Sequence, residues 1–511
     1  MASFSSFPIA LVVRPTIASR LAAVLLALAL IAPAAAPTWG QAPAQVPTPS
    51  PAVAPEAPAA PGELRIGLQA EPATLDPHFR DTPAERQIAA HIFEPLVLAD
   101  DDGRLAPGLA LSWRQRDATR WEFALRPGVK FHDGGDFTAE DVAFTLQRAG
   151  RVPQADAVFA RAAHSVAEIR VVDPLTLLFT TAEPDTDLPQ ILATLPIVSK
   201  RAAAGPAPEG RTTAEFDSGA AAVGTGPYRF EQWLRGDRLV LVASPHWWGG
   251  QPQWRSVAFM VLPDPEARLA ALRDGKVDIV EQPPQAALGA LRRDGDIVLS
   301  EGASARLVHV ALDAKSETLR LAADSTIVNP LRNERVREAL DLAIDREQIV
   351  RNALQGRGSA AAGLEPPGLR PAKPAAGSAA GESAYNPARA RKLLADAGYV
   401  EGFALTLTAP DGRFRNVAEI AREVAGMWAR IGVKVSVELL AADARRRGPD
   451  EARPAVLQAG LSPLDGAAAA LESRSLLPLL FETTVWAARS GLSYRPRRDQ
   501  WTLAQNVVPA P

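Results

Sequence analysis

The spacing of apolar side chains along this chain alternates between the two-residue period of a strand and the longer period of a helix. The segment ELRIGLQ at 63–69 and the segment WEFAL at 121–125 alternate apolar with polar or small residues, which predicts half-buried strands. Pro127-Gly128 then predicts a turn with a second strand after it. The segment at 168–181 predicts a hairpin. We therefore expect residues from about 78 to 200 to be rich in strands and hairpins.

Strands and helices follow one another in the later part of the chain. Residues 256–280 predict a strand, a helix and a strand, with Asp264 placed to cap the helix and Pro265 suited to its first position. Residues 333–354 predict two successive helices. Residues 403–439 predict a strand–helix–strand unit, whose two strands should be parallel. This pattern is typical of an α/β lobe distinct from the hairpin-rich region.

One short loop carries the residue types of a reactive site. The segment KFHDGGDFTAEDV at 130–142 places His132, Asp133 and Asp136 beside two glycines. A metal loop, a catalytic loop and a turn that leads into a helix are all compatible with it. Thr138 can cap the following helix. A loop that binds a hard cation usually offers more oxygen ligands at tighter alternation, so the pattern favours the structural turn.

Composition excludes several classes of function. The formal net charge of −3 provides no basic surface for nucleic acid. The absence of cysteine excludes disulfides, thiolate metal sites, a cysteine nucleophile and a lipidated N-terminal cysteine. The six histidines are scattered, so we expect neither a metal site nor a cofactor. A chain of 511 residues is long enough for two or three domains.

The N-terminus carries the pattern of a secretory signal peptide. Basic residues precede the apolar run LAAVLLALALI at 21–31, which is far shorter than the roughly 20 residues of a membrane span. The small residues APA at 42–44 predict cleavage there, so residues 1–44 form the predicted signal peptide; the alternative is a short buried helix. Residues 45–62 are rich in proline and alanine and predict a disordered spacer. Residues 356–384 predict a long irregular loop.

Segments spread along the chain resemble family 5 bacterial extracellular solute-binding proteins. That family comprises the periplasmic receptors of ABC importers for dipeptides, oligopeptides, glutathione and nickel. The resemblance covers nearly all of residues 63–440 and again about 472–508. It is carried by EPATLDP (71–77), RPGVKFHDGGDFTAEDVAFTLQRA (126–149), GTGPYRF (224–230), LRDGKVDIV (272–280), NERVREALDLAIDREQIV (333–350), YNPARARKLLADAGY (385–399) and DGRFRNVAEIAREVAGMWARIGVKVSVE (411–438).

The resemblance implies a mixed α/β fold of the two-lobe, Venus-flytrap type. The first lobe would span 63–305, with a hairpin-rich subdomain inserted at about 78–200. The second lobe would span 306–460, and residues 461–511 would return to the first lobe. Ligand would bind between the lobes and shift the population from open to closed.

The same resemblance implies a function. The protein would be a monomeric periplasmic receptor without enzymatic activity. It would capture a short peptide or a similar small polar solute and deliver it to an inner-membrane ABC permease. Arg413, with Arg415 beside it, matches the arginine that holds a ligand carboxylate in the family's peptide receptors. Thr74 lies in a loop that lines the cleft in the family, and Asp465 would pair with a peptide's α-amino group.

The chain departs from the family between residues 440 and 477, where the family carries a longer segment. Residues 455–466 predict the remnant of a ligand-facing strand, with Leu461 near the position where tryptophan is usual. A homologue that kept the fold but lost transport is therefore an alternative function. A secreted hydrolase is a remote one, because the chain has no Gly-x-Ser-x-Gly or His-Glu-x-x-His motif to supply a nucleophile or a metal.

Overall fold

A computed structural model provides the structure of the chain. It describes residues 62–100, 104–320, 326–366, 385–410, 416–440, 453–461 and 467–510. The predicted signal peptide, nearly all of the predicted spacer and residues 367–384 of the predicted long loop lie outside these ranges.

Several helices begin at a position where a side chain caps the first turn. The carboxylate of Asp141 accepts the backbone N–H of Thr138 at 2.9 Å, and Asp264 accepts that of Ala267 at 2.7 Å. The α-helices are α1 (Pro83–Ile92), α2 (Ala139–Ala149), α3 (Ala157–His164), α4 (Leu188–Leu192), α5 (Lys200–Ala203), α6 (Thr213–Asp217), α7 (Pro265–Arg273), α8 (Leu288–Leu291), α9 (Glu334–Leu342), α10 (Arg346–Leu354), α11 (Pro387–Asp396), α12 (Val417–Ala429) and α13 (Ala467–Glu472).

The strands supply most of the long-range connections of the fold. They are β1 (Glu63–Leu68), β2 (Val97–Ala99), β3 (Leu105–Pro107), β4 (Ala110–Gln115), β5 (Arg120–Leu125), β6 (Glu168–Asp173), β7 (Thr176–Thr180), β8 (Tyr228–Leu234), β9 (Arg238–Ala243), β10 (Ser256–Val261), β11 (Ile279–Glu281), β12 (Ile297–Leu312), β13 (Thr318–Arg320), β14 (Thr326–Val328), β15 (Gly358–Ala360), β16 (Phe403–Pro410), β17 (Val433–Leu440), β18 (Ala455–Leu461), β19 (Leu476–Arg489), β20 (Leu492–Tyr494) and β21 (Val507–Pro509).

A single sheet runs through both lobes of the molecule. Its strand order is β17-β16-β18-β12-β19-β11-β1-β10-β9-β8, with β15 also paired to β19. The two longest strands, β12 and β19, pair with each other along residues 297–303 and again along residues 307–311 of β12. The register shifts between these two stretches. We call the shifted region the hinge, because β12 and β19 pass through it from the first lobe to the second.

The hydrophobic cores lie on either side of the hinge. The first lobe packs α1 and α7 against β1, β10 and β11, while the second packs α9, α10 and α12 against β12, β16 and β19. A separate sheet, β4-β5-β7-β6, forms the core of the inserted subdomain with α2 and α3. The predicted two-lobe, mixed α/β fold with a hairpin-rich subdomain is confirmed. β16 and β17 are parallel, as predicted.

The prediction of a second strand after Pro127-Gly128 is wrong. That stretch forms only an isolated bridge between Lys130 and Asp136. The backbone N–H of Phe131 donates to Gly135 and that of His132 donates to Gly224. The first donor is used within the turn, and the second by a loop that is distant in sequence. Neither donor is available for a sheet ladder.

A buried histidine fastens the C-terminal segment to the first lobe. His91 lies in α1, where its Nδ1 is 2.8 Å from the carbonyl oxygen of Gln87. Its Nε2 is 3.0 Å from the backbone nitrogen of Ala504 and accepts that N–H. This arrangement needs the neutral ring, with its proton on Nδ1. Burial lowers the pKa of His91 to about 4.

We predict that this contact makes the fold sensitive to acid. The unfolded chain binds the proton of His91 near the ordinary pKa of about 6.5 and the folded chain only near 4, so stability is lost as pH falls through that window. His91→Gln should therefore lose less stability than the wild type between pH 7 and pH 5, by about 1–2 kcal/mol. Urea denaturation at both pH values measures the difference. The exposed His164→Gln variant is the control, and equal losses in all three proteins would contradict the prediction.

Candidate functional site

The carboxyl ends of the parallel strands in the first lobe point toward the second lobe. β1 is parallel to both β10 and β11. β11 runs antiparallel to β19, so that Ile279 lies opposite Ala488 and Glu281 lies opposite Trp486. From the first to the last residue of β11, the partner residue on β19 therefore lies closer and closer to the hinge. The carboxyl edge of the first lobe therefore faces the hinge and the second lobe beyond it.

The carboxyl ends of strands in the second lobe also face the hinge, from the opposite side. β18 runs antiparallel to β12, from Ala455 opposite Leu312 to Leu461 opposite Arg306 at the hinge. β16 is parallel to β18 and so ends on the same side. We call the space between the two carboxyl edges the inter-lobe cleft. Ligands of open α/β sheets bind beyond the carboxyl ends of the strands, which makes this cleft the candidate site.

A buried arginine fixes the strand ends on the first-lobe side of the cleft. Arg268 projects from α7, and its guanidinium donates hydrogen bonds to backbone carbonyl oxygens at the ends of β10 and β11. The acceptors are Leu262 at 2.6 Å, Pro263 at 2.7 Å, Glu281 at 3.2 Å and Gln282 at 3.2 Å. Carbonyl groups that would be unsatisfied at a sheet edge are thereby paired, and the edge is rigid.

A buried carboxylate joins this edge to the C-terminal segment. Glu281 accepts a hydrogen bond from the hydroxyl of Thr502 at 2.7 Å. The same hydroxyl accepts the indole N–H of Trp486 at 2.9 Å, and the backbone N–H of Thr502 donates to Gln87 at 2.9 Å. Burial raises the pKa of Glu281, and the hydrogen bonds only partly offset that effect. The network holds the C-terminal segment beside the cleft.

Direct contacts cross from one lobe to the other. The side chain of Gln285, in the first lobe, donates to the carbonyl oxygen of Leu354 at 3.3 Å and accepts from Asn416 at 3.4 Å. Arg357, in the second lobe, lies 3.6 Å from the carboxylate of Glu301. These pairs are polar, which suits surfaces that separate and meet again.

Strained backbone concentrates around the same region. Gln282, Gln355, Asn416 and Gln500 have positive φ angles between 45° and 69°, although none is glycine. Gln282 follows β11, Gln355 ends α10, and Asn416 precedes α12. The side chain of Gln500 donates to Thr484 beside the hinge at 2.9 Å. Such conformations cost free energy and often occur at functional sites.

The comparison with known families decides between possible uses of this cleft. Residues 104–461 match the family described as bacterial extracellular solute-binding proteins, family 5 Middle. The chain belongs to this family.

Relatives of known function and solved structures agree with that assignment. A glutathione-binding protein of Salmonella paratyphi A, GsiB, is 29% identical over 77% of this chain and 74% of its own length. A nickel-binding periplasmic protein of Escherichia coli is 29% identical over 77% of this chain and 71% of its own. The oligopeptide-binding protein AppA of Bacillus subtilis, solved with a nonapeptide, superposes with a TM-score of 0.69 at 20% identity, covering 88% of this chain and 99% of AppA.

Among the described residues of this family 5 protein, no helix is long and apolar enough to cross a membrane. No cluster of three potential metal ligands occurs within the same ranges. The loop at 130–142 is the turn that the sequence favours. His132 contacts the backbone of Gly224 and Gly226, Asp133 pairs with Arg201, and Asp136 pairs with Lys130.

The structure describes one of the four predicted ligand-binding residues. Arg413 and Arg415 lie in the segment 411–415, which follows β16, and Asp465 lies in 462–466, which follows β18; both segments are outside the described residues. The strands that precede them are neighbours and parallel. Thr74 is buried, and its hydroxyl donates to Asp217 at 2.6 Å. Its role as a ligand contact stays a prediction.

Sequence reasoning did not single out Arg306 at the hinge, or Glu281 and Gln285 at the first-lobe edge. Glu281 and Gln285 flank an apolar strand end and carry no motif of their own. Arg306 had a weak signal, because it is a charged residue that directly precedes the apolar run LVHVAL. Only the pairing of β12 with β18 and β19 places it at the hinge.

The turn that contains Thr74 is held by a fully buried ion pair. Asp76 accepts two hydrogen bonds from Arg148 in α2, at 2.9 and 2.6 Å, and both side chains are at most 1% exposed. The same guanidinium lies 2.9 Å from Nδ1 of His78, whose Nε2 is 2.8 Å from the carbonyl oxygen of Pro196. Burial and the neighbouring cation lower the pKa of His78 to about 3, so its neutral ring accepts from Arg148.

We predict that Asp76→Ala lowers the free energy of unfolding by about 3–5 kcal/mol, because it leaves Arg148 as an unpaired buried cation. Asp136→Ala is the matched control, since that carboxylate is exposed and its pair with Lys130 should contribute at most about 1 kcal/mol. Chemical denaturation compares the two variants. Similar small losses in both would show that the buried pair does not stabilise the turn.

Proposed function

We propose that this family 5 protein is the periplasmic receptor of an ABC importer. It captures a short peptide or a similar small polar solute in the inter-lobe cleft and delivers it to an inner-membrane permease. The observation that carries the proposal is the opposition of two carboxyl strand edges across a hinge formed by two strands that are continuous through both lobes. A ligand between these edges contacts both lobes only when they are close together, so binding favours the closed state.

The proposed ligand contacts follow, in sequence, strands whose carboxyl ends face the cleft. Arg413, with Arg415 beside it, binds the carboxylate of the solute, and Asp465 pairs with its amino group. Thr74 contributes from the first lobe. Recognition by charge pairing at the two ends of a solute leaves its centre in a roomy pocket that tolerates water. No covalent step is needed, and the protein is proposed to have no enzymatic activity.

The proposal also includes the cellular location and the domain organisation of the protein. The signal peptide at 1–44 directs export, and the spacer at 45–62 precedes a monomeric binding unit. Its lobes occupy 63–305 and 306–460, and the segment 461–511 returns to the first lobe. The relatives named for binding glutathione and nickel support a small polar ligand but differ from one another in ligand chemistry.

The test is thermal unfolding of the protein with and without a pool of di- to pentapeptides. A ligand at a hundred times its dissociation constant stabilises the native state by about 2.7 kcal/mol, which should raise the unfolding midpoint by a few degrees. We predict that Arg413→Ala abolishes this rise, because the ligand carboxylate loses its partner.

Arg422→Ala is the matched control, since that side chain is exposed on α12 and pairs with Glu419 of the same helix. It should keep the full shift. A cooperative transition that no peptide moves would reject a peptide ligand and favour a homologue that kept the fold without transporting peptides. A shift that persists in Arg413→Ala would reject the proposed carboxylate contact alone.

A further inference from the structure

The C-terminal segment crosses the hinge on its way back along the first lobe. We call residues 495–502 the strap. At its end the hydroxyl of Thr502 donates to Glu281 at 2.7 Å, and the backbone N–H of Thr502 donates to Gln87 at 2.9 Å. Two residues later, the backbone N–H of Ala504 donates to His91 at 3.0 Å. All three acceptors belong to the first lobe, so the strap is anchored to that lobe.

The pairing of β12 with β19 is interrupted at the hinge. Ala303 lies opposite Thr483, and the next paired residues are Leu307 and Phe481. The three residues 304–306 of β12 thus face a single residue of β19. Such a bulge breaks the hydrogen-bond ladder and lets the strand bend. Buried backbone groups at the bulge then need partners from outside this pair of strands.

The strap provides one of these partners. The backbone N–H of Ala305 donates to the carbonyl oxygen of Arg498 at 2.8 Å. An N–H in the middle of the bulge is therefore bonded to the strap instead of to β19. Ala305 is only 9% exposed, so the loss of this bond would leave a buried donor unsatisfied. Through the strap, the anchorage of the first lobe reaches as far as Ala305.

Two side-chain contacts fasten the strap to the regular ladder next to the bulge. Gly302 of β12 and Thr484 of β19 lie opposite each other. Pro496 approaches Gly302 so closely that a Cβ on the glycine would lie 2.5 Å from the Cβ of Pro496. On the other strand, the amide of Gln500 donates to the hydroxyl of Thr484 at 2.9 Å. The strap thus contacts both hinge strands at one paired position.

The strap also has internal contacts that hold its shape. The Nε of Arg497 lies 3.0 Å from a carboxylate oxygen of Asp499, which in turn accepts the backbone N–H of Trp501 at 3.0 Å. Gln500 has a φ angle of 69°, a conformation that costs free energy for a residue other than glycine. The strained residue is the one whose side chain reaches Thr484. A braced loop of this kind is suited to restrain the strands beneath it.

We propose that the strap sets the pivot of the lobe movement, because it holds β12 as far as Ala305 and β19 at Thr484 rigid with the first lobe. Bending is then confined to the residues beyond these two points. Gln500 and Pro496 are positioning residues, which affect solute binding only through the hinge. A narrow range of lobe orientations lowers the entropy that binding must overcome. The proposal goes beyond the proposed function and holds for any solute.

The test measures the distance between spin labels on the two lobes. Ala270 on α7 and Ala395 on α11 are exposed and lie in different lobes. The chain has no cysteine, so Ala270→Cys and Ala395→Cys create the only two labelling sites. In this parent protein, Thr484→Val removes the acceptor of Gln500 and should broaden the distribution of distances. Thr484→Ser keeps the hydroxyl and should restore the width of the parent distribution.

Thr145→Val is the matched control for a merely structural effect. Thr145 is buried in α2 of the inserted subdomain, where its hydroxyl accepts the backbone N–H of Val198 at 3.1 Å. The same substitution therefore removes a comparable buried hydrogen bond away from the hinge. This variant should unfold at a lower temperature but keep the parent width. Equal widths in Thr484→Val and Thr145→Val would overturn the proposal, because Thr484 would then contribute to stability alone.

A second variant tests the contact of the strap with β12. Gly302→Ala places a methyl group against Pro496 and should displace the strap, so that the N–H of Ala305 loses its acceptor. Hydrogen exchange of a peptide that contains Ala305 should become about two- to tenfold faster, as expected for the loss of one hydrogen bond. Exchange at the wild-type rate would contradict the proposal. Both measurements are made without solute, so their outcome does not depend on the proposed peptide ligand.

Discussion

The continuity of β12 and β19 through both lobes is the constraint on which the rest of the structure depends. A strand direction fixed in one lobe fixes the orientation of the other, because the strands of both lobes belong to one sheet that is built on the same two strands. The antiparallel pairing of β11 and β18 with this pair turns both carboxyl edges toward the hinge. A cleft lined by strand ends is therefore a consequence of topology, and the side chains at those ends decide what it binds.

The polar groups around the cleft divide into two kinds. Arg268 and Glu281 are buried and satisfied by backbone and side-chain partners, and they make the first-lobe edge rigid. Gln285 and Asn416 instead meet across the lobes through single, longer hydrogen bonds. Rigid edges joined by weak contacts are what a closing receptor requires, since each lobe must keep its shape while the distance between lobes changes.

The sequence predicted those parts of the fold that depend on local chemistry. The cap at Asp264, the hairpin at 168–181 and the parallel unit at 403–439 follow from periodicity and turn residues, and the structure contains them. The strand expected after Pro127-Gly128 does not form, because backbone N–H groups of that stretch donate within a glycine turn and to a loop that is distant in sequence. The position of Arg306 could not be predicted, since it depends on pairing between strands more than a hundred residues apart.

The hinge combines this topology with a buried charge. Arg306 is only 8% exposed, and its Nε has no hydrogen-bond partner within the described residues. The first lobe also buries a cation at Arg148, but it pairs that cation with the carboxylate of Asp76 through two hydrogen bonds. At Arg306 the charge of Glu482 on the neighbouring strand opposes the effect of desolvation without outweighing it. The topology that forms the cleft therefore also places a costly buried charge where the two lobes join.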